Sequence, residues 1–190
     1  MSRLSCDTLL EEIAAEVRVC TQCRLHQGRT HAVPGEGPAD ARIMLVGEGP
    51  GFQEDQQGRP FVGPAGELLN ELLGEAGLRR GEVFITNTVK CRPPNNREPM
   101  PDEIAACGDY LKGQIAAINP RVLCTLGRPA LHTLVDPAAS MSREHGVPRE
   151  VDGILFVPLY HPAAALHRQD LRPQLVADMQ KLKQVLAREL

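Results

Sequence analysis

The chain has 190 residues, a formal net charge of −3, 42% hydrophobic and 24% charged residues, and six aromatic side chains (four Phe, two Tyr). That length suits one well-buried domain over residues 1–190. No segment approaches the ~18 apolar residues of a membrane span, and the N-terminus lacks the layout of a signal peptide, so a cytoplasmic protein with no membrane partner is expected. The acidic balance excludes gripping nucleic acid through a global basic excess, so any DNA contact rests on local charge.

In chain order, Leu10, Ile13 and Val17 recur at helical spacing over residues 7–18, with Asp7 placed to cap. This helix leads into Cys20-Thr21-Gln22-Cys23, after which residues 24–40 carry glycines and prolines without periodicity and read as loop. An apolar run at 42–46 predicts a buried strand that ends in Gly47-Glu48-Gly49-Pro50-Gly51. A helix over 65–76 follows, with Leu68, Leu69, Leu72 and Leu73 on one face and Gly77 as its stop.

Residues 83–89 form the second β-type run and end at Lys90-Cys91-Arg92-Pro93-Pro94. Pro101, Asp102 and Glu103 suit the first turn of a helix, with Cys107 one turn inside. Residues 121–126 give a third strand, 128–134 a short helix, and 154–159 a fourth strand that delivers Tyr160-His161-Pro162. Leu175, Met179, Leu182 and Leu186 mark a closing amphipathic helix. Strands alternating with helices imply parallel pairing and a three-layer α/β/α sandwich.

Four features carry possible chemistry. The glycine turn invites a dinucleotide or phosphate cradle, but Gly47 and Gly49 are followed by Phe52 where the fingerprint needs glycine, and the Walker lysine is missing. Its glycines then serve a tight turn or close approach to a ligand. Six cysteines in a reducing compartment point to metal binding, catalysis or burial. Cys20 and Cys23 have metal-ligand spacing, and Cys91 and Cys107 lie near one layer edge; four thiolates suit zinc or an iron–sulfur cluster equally. His161 introduces a locally basic loop with an apolar tip, suited to a phosphate backbone and a wedge between bases. Asn87 closes an apolar strand with an amide that can pair with a base edge.

Together, Gly47-Glu48-Gly49-Pro50-Gly51, Gly58-Arg59-Pro60-Phe61-Val62-Gly63, the stretch from Thr86 to Pro94 and His161-Pro162 resemble the family 4 uracil-DNA glycosylases, the iron–sulfur branch of that superfamily. The resemblance runs over nearly the whole chain. It implies a four-stranded parallel sheet between helical layers and a [4Fe–4S] cluster on Cys20, Cys23, Cys91 and Cys107, tying the N-terminal helix and its loop to the core. Cys6 and Cys124 fall outside that set.

By the same carry-over, Gly49, Phe61 and Asn87 bind uracil, Phe61 by stacking and Asn87 at its polar edge. His161 stabilises charge on the uracil oxygen, and Glu48 helps to exclude the thymine methyl. Glu48 and Glu54 are the carboxylates nearest a water, although Glu54 with Asp55 also reads as a solvated acidic pair. Leu166, His167 and Arg168 are the expected DNA contacts; His167 stands where many family members have arginine. The implied partner is uracil-containing DNA, single- or double-stranded, acted on by a monomer at the nucleoid, with room for a replication or repair partner. The competing reading is a non-catalytic or covalent uracil-DNA-binding iron–sulfur or zinc protein. The basic insertion that carries the covalent group's histidine is missing here.

Overall fold

A computed structural model describes residues 3–189 of the chain. Its elements are α1 (Arg3–Val19), β1 (Ile43–Gly47), α2 (Phe52–Gln57), α3 (Pro64–Glu75), β2 (Phe84–Asn87), α4 (Pro101–Ile118), β3 (Val122–Leu126), α5 (Arg128–Leu134), α6 (Met141–Glu144), β4 (Arg149–Val151), β5 (Ile154–Leu159), α7 (Pro162–His167) and α8 (Arg172–Glu189). The strand order is β2-β1-β3-β5-β4; the first four run parallel and β4 pairs antiparallel with β5.

Every residue of β1, β2 and β3 is buried, which is why these strands read as continuous apolar runs. Alternate side chains serve opposite layers, as strand geometry requires. Ile43 and Leu45 of β1 join Leu69, Leu72 and Leu73 of α3 and Leu175, Met179 and Leu182 of α8. Met44 and Val46 face Leu111 and Ile118 of α4. A third apolar cluster joins Ile13 and Val17 of α1 to Leu25, Val89, Cys91 and Cys107. The three-layer α/β/α arrangement follows, and no helix among the described residues is long and apolar enough to cross a membrane.

Several expectations need correction. The sheet has a fifth strand: β4 is three residues long and only half-buried, so it carries no apolar signature, and it pairs on the open edge of β5 through a two-residue Asp152-Gly153 turn with both residues at positive φ. Asp7 lies inside α1 rather than at its cap, because the helix begins at Arg3. Phe52–Gln57, to which the sequence pattern assigned no element, form α2 between Gly51 and Gly58, and the residues after His161 form α7 rather than a loop. Gly77 does stop α3: at φ +76° it lets the Leu78 amide reach the Leu73 carbonyl at 2.9 Å.

Candidate active site

In a sheet with the order 2-1-3, connections leave β1 in opposite directions, and the crevice at the carboxyl ends of the strands is where ligands bind. A cavity of about 330 Å³ lies there. Glu48 and Gly49 enter it directly after β1, Asn87 ends β2, and His161 follows β5. Glu54 and Phe61 reach it from α2 and from the loop before α3. The structure thus brings together all six residues expected there. Hydrogen bonds hold the β1 and β2 exits side by side: the Thr88 amide donates to the Gly47 carbonyl at 2.9 Å, and the Val89 amide to the Glu48 carbonyl at 3.2 Å. Pro93 also lines the cavity, together with Asn96 and Arg97, which the sequence did not single out.

His161 caps α7, and its Nδ1 accepts the Ala163 amide at 3.1 Å. An Nδ1 acceptor leaves the proton on Nε2, so a neutral imidazole has a donor to offer a ligand. Desolvation pushes its pKa down to about 4 against the opposing pull of the Glu54 carboxylate. Glu48 moves the other way: burial, with the charge of Glu98 beside it, raises its carboxyl to about 7, while Arg128 pulls against the shift.

Asn87 is buried, and its Oδ1 meets no hydrogen-bond partner. Lys90, itself buried, donates from Nζ to the Asn87 carbonyl at 2.9 Å and to Gln114 Oε1 at 2.7 Å, fixing the end of β2 to α4. Gly47 allows the close approach on the other side: a Cβ there would lie 2.4 Å from Asn87 Oδ1 and 2.8 Å from the Phe61 ring. Phe61 is buried at φ +50°, a left-handed conformation costly for a bulky residue. Its ring lies 5.5 Å from that of His161, roughly parallel to it.

Glu54 and Asp55 do not form a solvated pair. Glu54 Oε1 accepts the Val62 and Gly63 amides at 2.9 and 3.0 Å, latching the Phe61 loop to α2. Asp55 is buried and accepts the Thr30 amide at 2.9 Å. Backbone donors that come from elsewhere in the fold claim both carboxylates, which is invisible in the sequence around them.

Cys20, Cys23, Cys91 and Cys107 line one apolar cavity between α1, the turn after β2, and α4. Cys6 lies in α1 and Cys124 in β3, both outside it. Arg29 Nη1 donates to Cys91 Sγ at 3.2 Å and to the Cys20 carbonyl at 2.7 Å, and the Lys90 amide donates to Cys107 Sγ at 3.3 Å. Burial raises the Cys91 thiol and pushes that of Cys107 up to about 11. Leu166, His167 and Arg168 stand exposed at the end of α7, outside the cavity, with Arg168 paired to Asp170 at 2.8 Å.

The fold and site define a doubly wound α/β protein with a half-open cavity at its topological switch point. Residues 34–184 match the family described as the uracil DNA glycosylase superfamily, and the chain belongs to it. Over 187 residues it is 47% identical to the type-4 uracil-DNA glycosylase of Thermotoga maritima, covering 96% of this chain and 97% of that protein. The type-4 enzyme of Archaeoglobus fulgidus is 44% identical over 188 residues, 95% and 94% of the two chains. Likeness to the type-5 enzyme of Thermus thermophilus is narrower, 39% over 118 residues, or 54% and 53%.

Proposed function

We propose that the chain is a monofunctional uracil-DNA glycosylase that flips uracil out of DNA and hydrolyses its N-glycosidic bond, leaving an abasic site. Asn87 carries this reading at the level of the site. A buried acceptor without a donor costs about 1–3 kcal/mol, and Asn87, whose Oδ1 has no partner, lines a cavity that a base can enter. The N3–H of uracil is the donor that matches it, whereas N3 of cytosine has no hydrogen. A base within a duplex cannot reach such a site, so extrusion is required.

Phe61 stacks on the extruded ring and Gly49 lets the backbone approach it. His161 donates from Nε2 to the uracil carbonyl that gains negative charge as the C1′–N1 bond breaks. Because the imidazole is neutral, its donor is already in place before that charge develops, which favours the transition state over the ground state. Glu48, whose carboxylate is not engaged by backbone amides as Glu54 is, takes the proton of the water that adds to C1′. Glu54 serves instead to hold the Phe61 loop. Glu48 also narrows the cavity against the thymine methyl. Leu166, His167 and Arg168 contact DNA from the exposed end of α7.

The donor set of the second cavity fits a [4Fe–4S] cluster held by Cys20, Cys23, Cys91 and Cys107. Four cysteines line one apolar cavity, and N–H donors to Cys91 and Cys107 suit ligating thiolates. Thiols with raised pKa values lose their protons when a metal takes their place. The cluster would supply iron–thiolate crosslinks joining the N-terminal loop to β2 and α4, making residues 1–190 one domain. A labelled oligonucleotide with a single uracil, treated with the protein and then alkali, should break at the uracil. Intact strands from both single- and double-stranded substrates would refute the reading.

A further inference from the structure

We propose that Arg80 is a positioning residue for the uracil base, acting through Phe61; the proposal rests on the glycosylase reading above. Arg80 follows α3 and lies outside the cavity wall. Its Nη1 donates to the Phe61 carbonyl at 3.0 Å and to Asn70 Oδ1 at 3.2 Å, and its Nη2 to the Pro60 carbonyl at 2.5 Å. Nε and Nη2 both donate to Glu36 Oε1, at 2.9 and 2.7 Å. Glu36 is itself fixed to the sheet by a two-way backbone bridge with Ile85: its amide donates to the Ile85 carbonyl at 3.0 Å, and the Ile85 amide to its carbonyl at 2.8 Å. Ile85 stands two residues before Asn87 on β2.

The Arg80 guanidinium therefore joins the two walls that must grip a planar base together, the Phe61 face and the Asn87 edge, while Arg59 in the same loop also bonds the Glu36 carboxylate, at 2.8 and 3.2 Å. The grip matters because Phe61 has a conformation that a bulky residue leaves unless its surroundings hold it. α3 supplies the backstop: a Cβ at Gly66 would lie 1.9 Å from the Phe61 carbonyl, so the loop is pressed on the helix while Arg80 holds its carbonyls. An ordinary surface ion pair explains little of this, since such pairs contribute little and do not bond two consecutive carbonyls. With Arg80 removed, Pro60 and Phe61 lose their side-chain donor, φ is free to turn negative, and the ring moves away from Gly47 and Asn87.

The test uses the full-length, metal-loaded protein, with single-turnover excision and inhibition by free uracil as readouts. Arg80→Ala should slow excision about 10–100-fold and weaken inhibition by free uracil about tenfold, while KM for the DNA changes much less. Arg80→Lys should recover part of both. In a Phe61→Ala background the Arg80 substitution should cost nothing further, because the effect passes through the ring. Should Arg80→Ala fail to fold, Glu36→Gln keeps the same test, with a smaller loss in the same direction that again vanishes on Phe61→Ala. Uracil inhibition unchanged from wild type, or a loss undiminished in the Phe61→Ala background, overturns the proposal. A wild-type protein that releases no uracil overturns the glycosylase reading instead.

Discussion

Titration of Glu48 should set the pH dependence of excision. Burial and the neighbouring charge of Glu98 bring its carboxyl to about 7, and the form that accepts a proton from water is the carboxylate. Excision should therefore rise with pH and level off above the midpoint. At pH 5, two units below it, roughly 1% of molecules hold the carboxylate, so the rate should be about 100-fold below the plateau. His161 adds no limb in this window: its imidazole gains a proton only near 4 and stays the neutral donor throughout. Single-turnover uracil release between pH 5 and 9 reads the profile directly. Glu48→Gln should remove the step and leave a slow, flat profile, down by about 10²–10⁴-fold. Glu98→Gln should move the midpoint below 7, because it deletes the like charge and frees Arg128 from its partner. A flat wild-type profile, or the same midpoint surviving in Glu48→Gln, would refute the assignment of the base.

Other consequences are as direct. Asn87→Ala should lower kcat/KM by about 10–100-fold without lowering the melting temperature, because its Oδ1 bonds nothing within the protein. Gly47→Ala should cost about 1–3 kcal/mol of stability and nearly all activity, since the added methyl meets both Asn87 and Phe61. Glu54→Ala should also destabilise, by about 1–3 kcal/mol, through the released Val62 and Gly63 amides, but the pH midpoint of the residual activity should stay near 7. Cys107→Ser should strip iron and visible absorption from the purified protein while Cys124→Ser keeps both; the reverse pattern would overturn the ligand set.

The sheet was legible where burial is two-sided. β1, β2 and β3 are continuous apolar runs because both faces meet helices, and β5 is buried over its last four residues. β4 was not, because an edge strand of Arg149, Glu150 and Val151 has no face to declare. Convergence of Glu48, Asn87 and His161 could be anticipated because each stands at the carboxyl end of a parallel strand. Phe61 follows no strand; only the resemblance picked it out, and its positive φ is a tertiary fact. The role of Glu54 was hidden for the same reason, as amides eight and nine residues further on claim its oxygen. Arg80 and Glu36 left no signal, since charged residues beside glycine and proline look like solvated loop until their partners are known.

Free uracil is the most direct quantity to measure. A duplex with one uracil per strand pair, in excess over the protein, should yield one free uracil per lesion through many turnovers, with the protein mass unchanged and no protein–DNA adduct. Failure of a folded, iron-loaded protein to release uracil, or release that stops at one equivalent with a stable adduct, would contradict a hydrolytic glycosylase built on Asn87, His161 and Glu48.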